Sequence, residues 1–321
     1  MKVPSKFSNP TKTTRIEKSW FAEINRRYSK FAKDATAKLR EVTAAPLAIN
    51  AEVGINASQQ RIYMAWLMQE IELLTGAEPP NNWQNVYQLE AYQRGLERTR
   101  ESLISQGARM TLTEAERMAA QGLTSFTAIP SLTTTLSAAT MAPIHQEGLE
   151  FLFTRSYESL KGWNDSLAKE VRQITFDAVR NGDGVTETAK KIRDRTGVAK
   201  SRAQNIAATE TGQAYAESSY SEIERAYEEL DMGEPTGTWI SALIPNVTRH
   251  RHARWHGDVI STKEARKRRN GTYDKSDPYR CKCSFIPYLS DNPKNASNEV
   301  KFKEQKEAMK KQEKALDKKA S

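Results

Sequence analysis

Residues 246–257, NVTRHRHARWHG, and residues 280–288, RCKCSFIPY, decide how the second half of this chain is read. Three of the four histidines of the protein fall inside the first stretch, and its only two cysteines stand at C-x-C spacing in the second. Scarce ligand-type side chains gathered this closely raise the question of a metal site. Local geometry limits the answer. On a strand His250 and His252 share a face, on a helix His252 and His256 do, and no regular conformation aligns all three. Two histidines at most can converge, with Cys281 and Cys283 supplying further ligands if the chain closes on itself. C-x-C is a weaker zinc signal than C-x-x-C. The expected reading is therefore no bound cofactor, with the side chains packing a small stranded unit while the arginines stay solvated. A weak zinc site at His252, Cys281 and Cys283 is the alternative.

Outward from this region the texture is helical. Upstream, a pattern of apolar residues at three- and four-residue steps predicts helices over 14–42, 59–75, 83–106 and 113–121. After a Thr-, Ser- and Ala-rich stretch bounded by Pro130 and Pro143, the pattern resumes over 144–181. Another helix is expected from a cap at Thr186 to Gly197, and a long one over 200–230. TGTWISAL (236–243) and CSFIPYL (283–289) read as short strands. The fold class is an α-rich α+β protein: an elongated helical N-terminal part, a helical region, then a small α+β C-terminal unit. The expected divisions are a leader (1–13), a helical N-terminal region (14–142), a central domain (143–289) and a Lys-rich tail (290–321). The tail holds eight lysines from residue 298 onward and reads as solvated. Trp20, Phe21, Phe31, Trp66 and Trp83 put more aromatic surface on the N-terminal helices than they can easily hide, so docking on a partner is expected there, with the remainder folding without them.

Lysines and arginines number 49 against 40 aspartates and glutamates, a net charge of +9, with a pI near 9.3. An anionic partner fits this balance. Arg249, Arg251, Arg254, Arg266, Lys267, Arg268 and Arg269 are the candidate contacts to double-stranded DNA, read without sequence specificity. Two cysteines exclude a disulfide framework and suit synthesis in a reducing cytoplasm. The N-terminus lacks the apolar core of a signal peptide, and no uninterrupted apolar run suits a membrane span.

The order of the motifs carries more information than any one of them. RAQNIAATETGQAYAES (202–218), a lone Trp239, TRHRHARWHG (248–257) and CKCSFIPY (281–288) together resemble the Mu F-like minor head proteins of tailed bacteriophages. The residues that fall on the family pattern are Arg202, Ile206, Thr209, Glu210, Trp239, Thr248, Arg249, His252, Gly257, Cys281, Cys283 and Pro287. Asn246 and His256 stand where that pattern has acidic residues, and Lys282 where it has arginine, so the motif reads as one that locks a fold. It does not read as a catalytic one. The resemblance implies a minor capsid (head morphogenesis) protein inside the phage head, made in the bacterial host's cytoplasm, with the portal protein as partner and the major capsid or scaffolding protein as further ones. It implies no enzymatic turnover and a role in assembly, genome packaging or delivery. The alternative function is a metal-dependent nuclease or other DNA-processing enzyme using His252. Within the fold-locking set, Glu210 is expected to pair with Arg249.

Overall fold

The computed structural model describes residues 9–44, 55–108, 139–140, 142–244, 248–289, 292 and 294–320. Among them run eight helices: α1 (Thr14–Ala44), α2 (Ala57–Thr75), α3 (Asn85–Ser105), α4 (Pro143–Asn181), α5 (Val185–Glu229), α6 (His250–Arg254), α7 (Thr262–Arg269) and α8 (Lys294–Ala320). Three short strands, β1 (Thr236–Ile240), β2 (Val259–Ser261) and β3 (Ser284–Pro287), form one antiparallel sheet in the order β2-β1-β3. The α-rich α+β class is thus the observed one. The helix expected over 113–121 lies outside the described residues.

The chain divides into two compact units that interleave along the sequence. One comprises residues 17–85 and 153–207, the other 1–16, 86–152 and 208–321. In the first, the stripes on α1, α2 and α4 face one another. Trp20, Ile24, Tyr28, Tyr63 and Leu67 are buried, each 1% exposed or less. Asn164 of α4, fully buried, is the polar pin. Its Oδ1 accepts from the Tyr28 hydroxyl at 2.7 Å and its Nδ2 donates to Thr75 Oγ1 at 2.9 Å. A buried amide with partners on both ends fixes register at little cost. Of the aromatic side chains expected to need a partner molecule, Trp20 and Phe31 are buried, while Phe21, Trp66 and Trp83 are half-buried, Trp83 with the Arg27 guanidinium 4.4 Å above its ring.

In the second unit, the C-terminal part of α5 packs beneath the sheet. Tyr220, Ile223, Ala226 and Tyr227 of α5 form one apolar core with Trp239 of β1, Phe285 of β3, Ala265 of α7, Cys281, Cys283 and Leu103 of α3. Leu103, from the segment expected to be separable, is part of this core. A buried charge network lies in the same unit. Glu222 meets Arg100 (2.7 Å), Arg225 (2.8 Å) and His145 (3.0 Å), and Tyr92 Oη lies 2.9 Å from the other ring nitrogen of His145. Burial works to raise the Glu222 pKa, but the hydrogen bonds from His145 and Arg225 and the charge of Arg100 bring it down to about 2.

Two expectations about elements are corrected. Gly197 does not end a helix; α5, 45 residues long in all, runs through it, because one glycine costs a helix only about 1 kcal/mol and packing on both sides outweighs it. The Lys-rich C-terminal segment is not a purely solvated tail. Along α8, Phe302 and Met309 are buried while Lys301, Lys303 and Lys310 face out.

Candidate functional site

The central strand positions the motif. Trp239 pairs with Phe285 across β1 and β3, its backbone N–H donates to Asp258 O at 2.9 Å, and its carbonyl accepts from Gly257 N–H at 2.8 Å. The chain between β1 and β2 is thereby folded back onto the sheet with α6 on it. Gly257 makes the return. Its φ is +82°, and a Cβ there would lie 2.7 Å from Phe302 Cβ, so conformation and space both demand glycine.

His252 lies on α6 and His256 in the turn after it, outside the helix, and both are buried. They go to different places. His256 Nδ1 accepts from the Ser241 N–H at 3.1 Å and its Nε2 lies 2.9 Å from Gln305 Oε1 of α8, with the Phe302 ring edge-on at 5.1 Å. Burial, with the charge of Lys306 adding to it against the Gln305 bond and Asp258, pushes its pKa down to about 4. His252 turns to the cysteines. Its Nδ1 stands 3.5 Å from Cys281 Sγ and 3.4 Å from Cys283 Sγ, and its Nε2 stands 3.0 Å from Asp277 Oδ1. The indole of Trp255 stacks on its ring at 5.2 Å and that of Trp239 meets it edge-on at 6.0 Å. His250, the third histidine, is exposed.

A hydrogen bond from Cys283, aided by the charge of Arg269, holds Cys281 well below the ordinary thiol range against its burial, whereas burial and the neighbouring Cys281 push Cys283 up.

Arg269 joins the long helix to the C-x-C segment. It is 2% exposed, and its guanidinium donates to the carbonyls of Cys283 (2.8 Å), Gly212 (2.7 Å) and Cys281 (3.2 Å). The expectation that the arginines stay solvated fails here, and Arg269 is removed from the candidate DNA contacts. Arg249, expected to pair with Glu210, is half-buried and donates to the Tyr279 carbonyl at 2.8 Å. Glu210 is itself buried. Thr209 accepts from the Arg280 N–H at 3.1 Å, Thr248 accepts from the Ile244 N–H at 2.9 Å, and Arg202 lies over the Trp163 ring at 4.2 Å in the other unit.

The remaining basic residues of 249–269 are mostly engaged. Arg251 pairs with Asp274 (2.8 Å), Arg268 with Asp258 (2.9 Å), and Arg266 with Glu217 (2.7 Å) and Glu224. Arg254 and Lys267 are exposed. Arg254 and His250 also line a cleft with Lys306 and Lys310 of α8. Sequence reasoning missed Asp277 and the buried role of Arg269, since neither has a local signature. It also missed α7, although Ser261 and Glu264 form the S-x-x-E pattern of a helix start, and the Ser261 hydroxyl does accept from the Glu264 N–H.

No curated protein and no solved structure matches the chain. Residues 169–286 match the family described as Phage Mu protein F like protein, a segment that begins within α4 and ends in β3. It contains Trp239, the His252 and Cys281/Cys283 cluster, and Arg269 on its buried carbonyls. Over residues 169–286, somewhat over a third of its length, the chain is therefore similar to the Phage Mu protein F like family.

Proposed function

We propose that this protein is a minor capsid protein of a tailed phage, acting at the portal inside the head during assembly and genome packaging, without enzymatic turnover. The observation that carries the reading is the burial of four motif residues, Trp239, His252, Cys281 and Cys283, together with Arg269 beside them. His252, Cys281, Cys283, Trp239 and Arg269 are each at most 3% exposed and make one another's packing and hydrogen bonds. A general base must reach a substrate proton. His252, which the nuclease alternative would use, is enclosed by Trp239 and Trp255. The family match supplies the head, and the +9 charge suits packaged DNA. Phosphate contact falls to groups on the outside: Arg254, Lys267 and the outward lysines of α8.

Co-expression with the portal protein of the phage or prophage that encodes the chain tests the proposal. The full chain should co-elute with portal rings in size-exclusion chromatography. Elution at its own volume, or metal-dependent cleavage of plasmid that disappears in His252→Ala, contradicts it. Binding to random duplexes, followed by fluorescence anisotropy, should weaken by roughly 0.9 log unit per phosphate contacted for each tenfold rise in salt.

A further inference from the structure

We propose that His252 Nδ1, Cys281 Sγ and Cys283 Sγ bind a zinc ion that holds the fold, with Asp277 orienting the histidine from behind. The argument starts from a mismatch in hydrogen bonding. The Asp277 carboxylate, wholly buried, faces His252 Nε2 at 3.0 Å. A carboxylate accepts, so Nε2 carries the proton and Nδ1 presents a single lone pair. Two sulfurs nevertheless converge on that lone pair, at 3.4 and 3.5 Å. One nitrogen lone pair takes one S–H, and the second thiol is left to the other sulfur, a weak acceptor. A cation between the three atoms satisfies all of them.

The distances agree with that cation being zinc. With Zn–N about 2.0–2.1 Å and Zn–S about 2.3 Å at a tetrahedral angle, a ligand nitrogen and sulfur stand about 3.6 Å apart and two sulfurs about 3.8 Å. The three ligand atoms lie within 4.8 Å of one another, and both N···S separations fall within about 0.2 Å of the tetrahedral value. Thiolate and imidazole are the ligands zinc favours over harder cations. The outer shell is present as well. A histidine that ligates through one nitrogen and donates the other N–H to a carboxylate is the usual arrangement around protein-bound zinc. The Arg251 guanidinium lies 3.3 Å from Asp277 Oδ1, holding that carboxylate in turn. Burial of all three ligands and the indole cover exclude substrate, so the ion ties α6 to the C-x-C segment.

The test uses the full chain, produced in zinc-supplemented cells without an affinity tag that binds metal and purified without chelator. Elemental analysis should find one zinc per chain. Replacement by Co²⁺ should give thiolate-to-cobalt charge-transfer bands and intense tetrahedral d–d absorption. Cys281→Ser with Cys283→Ser should abolish both signals, and Asp277→Asn should keep the stoichiometry while weakening affinity roughly 10- to 100-fold. Substoichiometric metal with two free thiols in the denatured parent overturns the proposal. So does a Cys281–Cys283 disulfide by mass, or full zinc content in the double serine variant. If that variant fails to fold, the parent's metal content and cobalt spectrum still decide.

Discussion

Arg269 and Gly212 show how much of this domain rests on single side chains. The guanidinium has no room to spare. A Cβ at position 212 would lie 2.8 Å from the Cys281 carbonyl oxygen and 2.9 Å from Arg269 Nη2. Alanine in mid-helix normally gains close to 1 kcal/mol over glycine, but here it must displace backbone and a buried charge, so the steric term wins. Gly212→Ala should lose about 1–3 kcal/mol in denaturant unfolding, and a variant as stable as the parent contradicts the packing described. His256 gives a pH signature. Its folded pKa is about 4 against an ordinary 6.5, so between those values the unfolded chain binds the proton more readily. Its contribution is complete above about pH 6.5 and is lost as pH falls toward 4, amounting to about 3 kcal/mol across the window with about 2 kcal/mol gone by pH 5. Unfolding measured at pH 7 and pH 5 should show a smaller difference for His256→Asn than for the parent, and equal differences would refute the burial argument. The three-dimensional roles of these residues were only partly legible. Helical spacing predicts one face for His252 and His256, whereas His256 lies outside α6 and their separate destinations depend on Ser241, Asp277 and Gln305, which are distant in sequence.

At the scale of elements, periodicity located α1 to α4 because each has one buried stripe. It failed where tertiary contact overrides local preference, as in the passage of α5 through Gly197. The sheet was legible in β1 and β3, whose apolar runs are flanked by turn residues, and not in β2, whose three residues carry too little pattern. Helix α8 is the instructive error. Lysines dominate its composition, but Phe302 and Met309, seven residues apart, make a narrow buried stripe. Phe302 packs on His256 and against Gly257, so α8 covers the turn that positions the motif. Phe302→Ala should therefore cost about 3–5 kcal/mol, read by thermal or denaturant melting. A change within a few tenths would return α8 to the status of a solvated tail.

For the whole molecule, the linear division suggested by composition gives way to interleaving. Helices α4 and α5 each contribute to both units, and Leu103, far from the family segment in sequence, completes its core. Composition could not reveal this, because every segment involved is an amphipathic helix of similar texture. What the order of motifs did reveal was the family, matched over 169–286. The proposed place within a phage head rests on that match and on the burial of Trp239, His252, Cys281 and Cys283. Quantitative mass spectrometry of gradient-purified heads, produced from the phage or prophage that encodes the chain, tests that claim most directly. Peptides from both units should appear in the heads at one fixed ratio to the major capsid protein, well below one copy per capsid subunit. Heads that lack the protein while it accumulates in the host's soluble fraction would contradict the account.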